Sequence, residues 1–334
     1  MSIPVIAFFN NKGGVGKTSL VYHVAWMTSE LGLRVLAADL DPQCNLSSAF
    51  LDDDRLEKLW PDDSHPPTTI HGAIRPLQKG IGDVSPPVLQ GISEDLALVA
   101  GDMALSAFED ELSDVWPKCL DRDERSFRVI SSFWRIIQMG AEKHHANIVL
   151  IDLGPNLGAI NRAALIASDY VVIPLGPDLF SLQGLKNLGP ALRNWREGWK
   201  ERISRNPSRD LNLPSGEMRP LGYIVMQHSA RQDRPVKAYD KWIAKIPQTY
   251  REFVLNEDEN SDSVLHVLKD PYCFALIRHY RSLMPMGQEA RKPMFFLKPA
   301  DGAIGSHTKA VRDVYRDFKE LTQKVLSRAG IIEK

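Results

Sequence analysis

Ten consecutive residues, Asn10-Asn11-Lys12-Gly13-Gly14-Val15-Gly16-Lys17-Thr18-Ser19, combine the glycines and side chains that close around a phosphate. They follow the apolar run 3–9, so a strand would deliver the chain into a glycine-rich turn and a helix would carry it away. In that layout the N–H groups of Gly13, Gly14, Val15 and Gly16 surround a β-phosphate. Lys17 reaches the β/γ oxygens, the Thr18 hydroxyl ligates Mg²⁺, and Ser19 follows in the first helical turn. The helix adds the positive end of its dipole. The general pattern G-x-x-x-x-G-K-[ST] departs in one place. Asn11 stands where its first glycine belongs, beside a second lysine, Lys12. The bland alternative is a glycine-rich turn without function, and the string is too specific for it.

Two carboxylate clusters accompany the loop. The first is Asp39-Leu40-Asp41-Pro42-Gln43-Cys44-Asn45, and the second is Ile151-Asp152-Leu153-Gly154-Pro155. Each lies at the carboxyl end of an expected strand, the edge where ligands bind in a doubly wound sheet. A lone Asp after a strand is usually a cap or turn residue. Two such clusters beside a phosphate loop point to nucleotide hydrolysis.

The elements that must hold these residues follow from hydrophobic patterning. Strand-length runs occur at 3–9, 34–39, 96–99, 148–151, 170–174 and 221–226. A helix over 17–31 has Leu20, Val24, Met27 and Leu31 on one face and Gly32 as its stop. Alternating β and α elements predict an α/β fold: a doubly wound, mainly parallel sheet flanked by helices, as in phosphate-loop NTPases. A final strand is expected near 294–297 and a long helix over 309–328. The whole chain, 1–334, reads as a single domain. Irregular insertions are expected near 51–95, 204–220 and 256–264, with a polar turn at 120–126. No sequence precedes the first strand that would hold an N-terminal DNA-reading domain.

With 334 residues, 43% hydrophobic and a formal charge of −1, the chain can bury a sizeable core, and any nucleic-acid contact must come from a local patch. No signal peptide and no membrane-length apolar stretch is evident. Cys44, Cys119 and Cys273 form no C-x-x-C pair, which suggests a reducing, cytosolic location without a metal cluster. Asp52-Asp53-Asp54 reads as a solvated acidic loop. The pairs His144-His145 and His228 with His279 read as ordinary histidines, since neither has ligand spacing.

On KGGVGKTS, DLDPQCN, IDLGPNLG and the Leu182-Gln183-Gly184-Leu185 segment, the chain resembles the ParA/MinD superfamily of deviant phosphate-loop ATPases, and its ParA partition-type members most closely. The resemblance spans nearly the whole chain. It implies ATP and Mg²⁺ as ligands, with Lys17 on the phosphates. Thr18, Asp152 and Asp39 would support the metal, and Asp41 would orient the attacking water. Lys12 would be the signature lysine that reaches a partner's nucleotide across an ATP-dependent homodimer. Several positions depart from the family pattern. Cys44 replaces a usual Gly, Gly154 the first of two prolines, Ile277-Arg278-His279 a Pro-Arg-Asn, and Met226-Gln227-His228 a Met-x-Asp.

The resemblance further implies non-specific DNA binding by the dimer, nucleoid association, and a partner protein whose basic segment stimulates slow hydrolysis. Arg231, Arg234 and Lys237 follow the 221–226 run, near where the family places a DNA-contacting arginine. Lys200 and Arg202 belong to a second basic run, 186–209, whose bland reading is a solvated face. Trp195 and Trp199, interleaved at i, i+4, read as a buried helix stripe. Arg278, Arg281, Arg291 and Lys292 form a third basic set. Two other classes compete: a MinD-like ATPase on a membrane surface, for which 329–334 is a short tail, and a phosphate-loop synthetase, against which Lys12 argues.

Overall fold

The computed structural model describes residues 2–60, 67–227, 241–257 and 266–333. Strand β1 (Val5–Phe8) runs through the phosphate loop into α1 (Lys17–Glu30). There follow β2 (Val35–Asp39), α2 (Asn45–Phe50), α3 (Asp53–Glu57), α4 (Ile70–Gln78), β3 (Leu89–Gly91) and β4 (Leu96–Val99). Next come α5 (Phe108–Lys118), α6 (Glu124–Ile130), α7 (Ser132–His144), β5 (Ile148–Asp152), α8 (Ala159–Ile166) and β6 (Tyr170–Leu175). The chain continues through α9 (Leu179–Ile203), β7 (Arg219–Gln227), α10 (Ile246–Thr249) and a π-helical turn at Tyr250–Leu255. It closes with β8 (Cys273–Arg278), α11 (Leu283–Glu289) and α12 (Ser306–Arg328).

The strands pair in the order β3-β4-β2-β5-β1-β6-β7-β8, parallel except for the short antiparallel edge β3. The doubly wound sheet expected from the alternation is therefore what forms. Its central strands β1, β2 and β5 are buried at every position and apolar up to the aspartates that end β2 and β5, because both faces are covered. In β1, Val5 and Ala7 pack into one layer with Phe9, while Ile6 and Phe8 pack into the other. β5 repeats the division, with Val149 and Ile151 on one side and Ile148 and Leu150 on the opposite side. Helix α1 ends where expected: Gly32 adopts φ 81° and the Leu31 N–H closes on the Met27 carbonyl.

Three expectations need correction. Residues 294–297 form no strand. Met294–Phe296 is a 3₁₀ turn whose apolar side chains wedge between helices, with Phe295 against His23, Phe296 and Phe318. The outer strand is instead β8, whose half-buried positions hide it from a periodicity search. The 51–95 segment is more ordered than expected, carrying α3, α4 and β3. The 120–126 turn ends inside α6, where Asp123 accepts from the Ser126 N–H at 3.0 Å as an N-cap. The loop after α9 is anchored by Trp199, which is fully buried and donates its indole N–H to the Pro214 carbonyl at 2.9 Å. The core reading of that tryptophan holds. Of the expected 256–264 insertion, 258–264 lies outside the described residues.

Candidate functional site

The phosphate loop sits at the carboxyl edge of β1, between β5 and β6. Gly14 and Gly16 have φ of 70° and 85°, a left-handed conformation that strains any side-chain-bearing residue. Those two angles turn the backbone so that it can encircle an anion. The Asn10 carboxamide braces the loop, donating to the Pro174 carbonyl at 2.6 Å and accepting from the Lys12 N–H at 3.0 Å. Lys17 is buried, with its ammonium 3.4 Å from the Lys12 carbonyl. Burial lowers its pKa, and the carboxylates of Asp152 and Asp41 oppose that shift.

β2 and β5 pair in register, placing Asp39 beside Asp152. Their environments then diverge. Asp39 accepts from both the N–H and the hydroxyl of Ser47 at 2.8 Å, and Ser47 in turn accepts from the Gly101 N–H. Those bonds aim the Asp39 carboxylate at the start of α2 rather than at the cavity, so it braces the segment carrying Asp41. The metal role expected for Asp39 gains no support from this geometry. Asp152 is fully buried, and neither carboxylate oxygen has a hydrogen-bond partner among the described residues. Its pKa is pushed up by burial and by the Asp39 charge. The Thr18 hydroxyl and Lys17 ammonium oppose that shift, although the hydroxyl makes no bond of good geometry. A buried carboxylate without donors is costly unless a cation pairs with it. Thr18 and Asp152 therefore fit a hard Mg²⁺ ion that takes its remaining oxygens from phosphates and water. Among the described residues no ready-made cluster of three or more metal-ligating side chains exists.

Asp41 is buried at the cavity wall and accepts from the Gln43 N–H at 3.0 Å. Its carboxylate can lie there because residue 154 is glycine: a Cβ at that position would stand 3.2 Å from Asp41 Oδ1. The departure at Gly154 thus acquires a physical reading. Gly154→Ala is expected to displace the Asp41 carboxylate by a few tenths of an ångström. Small misplacements in phosphoryl transfer cost catalysis before binding. The expected outcome is a several-fold loss in steady-state ATP turnover with unchanged ATP affinity by calorimetry. The Cys44 departure is also visible in the backbone. Cys44 is held at φ 55°, the conformation a glycine would adopt without strain, where it N-caps α2.

Lys12 does not point at the loop. Its ammonium pairs with the Asp178 carboxylate at 2.5 Å, near the ring of exposed Phe180. Asp178 also N-caps α9 through the Ser181 N–H at 3.1 Å. Burial alone would raise the Asp178 pKa, but Lys12 and the Ser181 N–H hold it below the usual range. Sequence reasoning missed Asp178 as a site residue. The partner that gives it meaning, Lys12, lies 166 residues away in the sequence.

The basic run after the loop turns out to be structural in large part. Arg202 is buried, with its guanidinium 3.9 Å from the Trp116 ring centroid and bonded to the Trp116 and Gly198 carbonyls. It is unavailable to phosphate, which corrects its assignment to a DNA surface. Arg193 and Arg196 likewise donate to carbonyls, those of Phe253 and of Glu217 and Met218. Lys200 is exposed and makes no bond or ion pair among the described residues. Arg231, Arg234 and Lys237 lie outside the described residues. In the third set, Arg278, Arg291 and Lys292 are paired with Asp317, Asp53 and Asp301.

Gly13, Gly14, Gly16, Lys17, Thr18, Ser19 and Asp41 line one cavity of about 880 Å³, within the range that takes drug-sized ligands. The AAA domain family model AAA_31 matches residues 3–204. The chain is 31% identical to protein IncC of Escherichia coli over 239 residues, 72% of this chain and 55% of IncC. It is 28% identical to a ParA family protein of Mycoplasma pneumoniae over 196 residues, 58% of this chain and 66% of that one. The chain thus spans little more than half the length of IncC. In structure it is similar to protein DIP2308 from Corynebacterium diphtheriae, with a TM-score of 0.72, 22% identity and 98% of each chain covered.

Proposed function

The chain belongs to the ParA/MinD superfamily through its AAA domain, and from that premise we propose that it is a slow Mg²⁺-dependent ATPase cycling between a monomer and an ATP-sandwich dimer. The observation that carries the reading is that Lys17, Thr18 and Asp41 line one cavity, with the unpartnered carboxylate of Asp152 buried close enough to act on the Lys17 charge. Lys17 binds the β/γ-phosphates, the Thr18 hydroxyl and Asp152 hold the metal, and Asp41 orients the attacking water. The metal, when bound, neutralises charge on the phosphate oxygens. Lys12 leaves Asp178 to reach the partner's nucleotide, which makes hydrolysis depend on dimerisation. Leu179 and Phe180, 52% and 72% exposed beside Lys12, supply apolar surface for such a contact.

In this reading the ATP dimer binds duplex DNA without sequence preference, moves or segregates a cargo, and is released when a partner's basic segment stimulates hydrolysis. The binding argument is additive. Each subunit offers a few phosphate contacts, and dimerisation doubles them on one surface. Asp41→Ala with ATP should bind any duplex in a fluorescence titration, and nucleotide-free protein should bind weakly. Each neutralised phosphate steepens the log K versus log salt slope by about 0.9. Charge removal at Arg231, Arg234 or Lys237 should flatten that slope and spare hydrolysis, and Lys200 is the second choice. An ATP-locked dimer that ignores DNA at low salt would sink the DNA-binding reading. Such a result would leave a nucleotide switch with some other partner.

A further inference from the structure

Between Asp152 and the start of α8 the chain makes a turn, 153–158, against which two parts of the site rest. A Cβ at Gly154 would stand 3.2 Å from Asp41 Oδ1, so this residue backs the carboxylate directly. Pro155 lines the cavity beside Gly13 of the phosphate loop. The side chain that holds the turn in place is Asn161, in the first turn of α8 and 1% exposed. Its Nδ2 donates to the Gly154 carbonyl at 3.0 Å and the Asn156 carbonyl at 2.7 Å, bracketing Pro155. Asn156 Oδ1 stands 3.0 Å from the same nitrogen and accepts from the Gly158 N–H at 2.9 Å. All three neighbours are acceptors, so the amide nitrogen and not the oxygen must face them. Asn161 Oδ1 is left buried without a partner among the described residues. An orphaned buried acceptor destabilises a fold, and leucine would fill nearly the same volume without one. The carboxamide is explained by what its nitrogen holds, not by packing.

The helix that carries Asn161 is itself fixed. Glu109 of α5 accepts from the N–H groups of Ala159 and Ile160, the second at 2.8 Å, satisfying two orphan donors of the first turn of α8. Arg162 donates to the Leu112 carbonyl at 3.1 Å and lies 4.5 Å from the Trp116 ring centroid, also on α5. The turn therefore hangs from a rigid anchor. The geometry points to Asn161 as a positioning residue for ATP hydrolysis: it seats Gly154 against Asp41 and so fixes the carboxylate that orients the attacking water. The inference rests on the ATPase reading above and deepens it. Asn161 has no part in holding phosphate or metal, so its loss is felt in turnover and not in ATP binding.

Asn161→Leu keeps the volume and removes both N–H donors. Turnover at saturating ATP would be expressed per binding site, with the sites counted by calorimetric stoichiometry, so that unfolded protein does not enter. It should fall about tenfold with ATP affinity unchanged. Asn156→Ala, at an exposed position, removes one of the three oxygens and should cost less. The deciding measurement is a double-variant cycle with Gly154→Ala. That substitution already displaces the Asp41 carboxylate, so adding Asn161→Leu to it should cost clearly less than in the unmodified chain. If Asn161→Leu does not fold, the cycle is run with Asn156→Ala. The same loss in both backgrounds would mean that the side chain acts elsewhere, and it overturns the inference. Unchanged turnover per site in the single variant does so too. An unmodified protein that binds ATP and never hydrolyses it strikes the ATPase reading itself, and the inference falls with it.

Discussion

Lys17→Ala is expected to lose ATP binding by about two orders of magnitude or more. The ammonium is the one cation built into the floor of the loop among the described residues, and it stands near the carboxylates of Asp152 and Asp41. Removing it leaves a triphosphate facing that acidic cluster with only backbone N–H groups in support. A charge-assisted hydrogen bond contributes roughly 1.5–3 kcal/mol. Two such bonds to the β- and γ-oxygens correspond to about a hundredfold or more in affinity. The fold should survive, because the buried ammonium makes a single long contact to the Lys12 carbonyl and its burial is itself unfavourable. Calorimetry with ATP and Mg²⁺, beside a thermal melt, separates the two effects. An intact melt with unchanged ATP affinity would remove Lys17 from the phosphate site.

The phosphate loop could be read in the sequence because its chemistry is local. Glycines at 14 and 16 set backbone angles no neighbour has to enforce, and the lysine and threonine follow at fixed spacing. The parallel sheet was legible for a similar reason, since strands buried on both faces are short unbroken apolar runs such as Ile148–Leu150. Legibility stopped where meaning depends on a distant partner. The run at 294–297 has a strand's composition, but His23 takes the Met294 N–H that a neighbouring strand would otherwise use. Arg202 and Lys200 look alike in a basic run, yet one side chain is buried against Trp116, 86 residues away, and the other faces solvent. Asp39 and Asp152 are equivalent strand-end carboxylates in sequence. Ser47 makes them different in space, by occupying one and leaving the other unpartnered. Periodicity carries burial well and carries the pairing of polar groups poorly.

That pairing decides the last expectation, which concerns Lys12. In the monomer its ammonium is held by Asp178, so an intersubunit role requires this ion pair to break before the lysine can cross. The side chains are 30% and 20% exposed, and a pair in that setting is worth up to about 1 kcal/mol. Because two subunits each release one pair, the cost enters the dimerisation equilibrium twice, up to about thirtyfold in the constant. Asp178→Asn removes the charge but keeps a side chain able to cap α9 through the Ser181 N–H. It should dimerise at lower protein or ATP concentration than the unmodified chain, by light scattering. Lys12→Ala should stay monomeric with ATP, having lost the charge that meets the partner's phosphates. Asp41→Ala should accumulate as a stable dimer, because its carboxylate is assigned to the water and not to assembly. The double variant Lys12→Ala with Asp178→Asn separates the two contributions. If it stays monomeric, the gain from Asp178→Asn comes through Lys12. If it dimerises as readily as Asp178→Asn alone, the effect belongs to α9 and its exposed Leu179 and Phe180. Normal dimerisation of Lys12→Ala by itself would end the intersubunit role of the lysine.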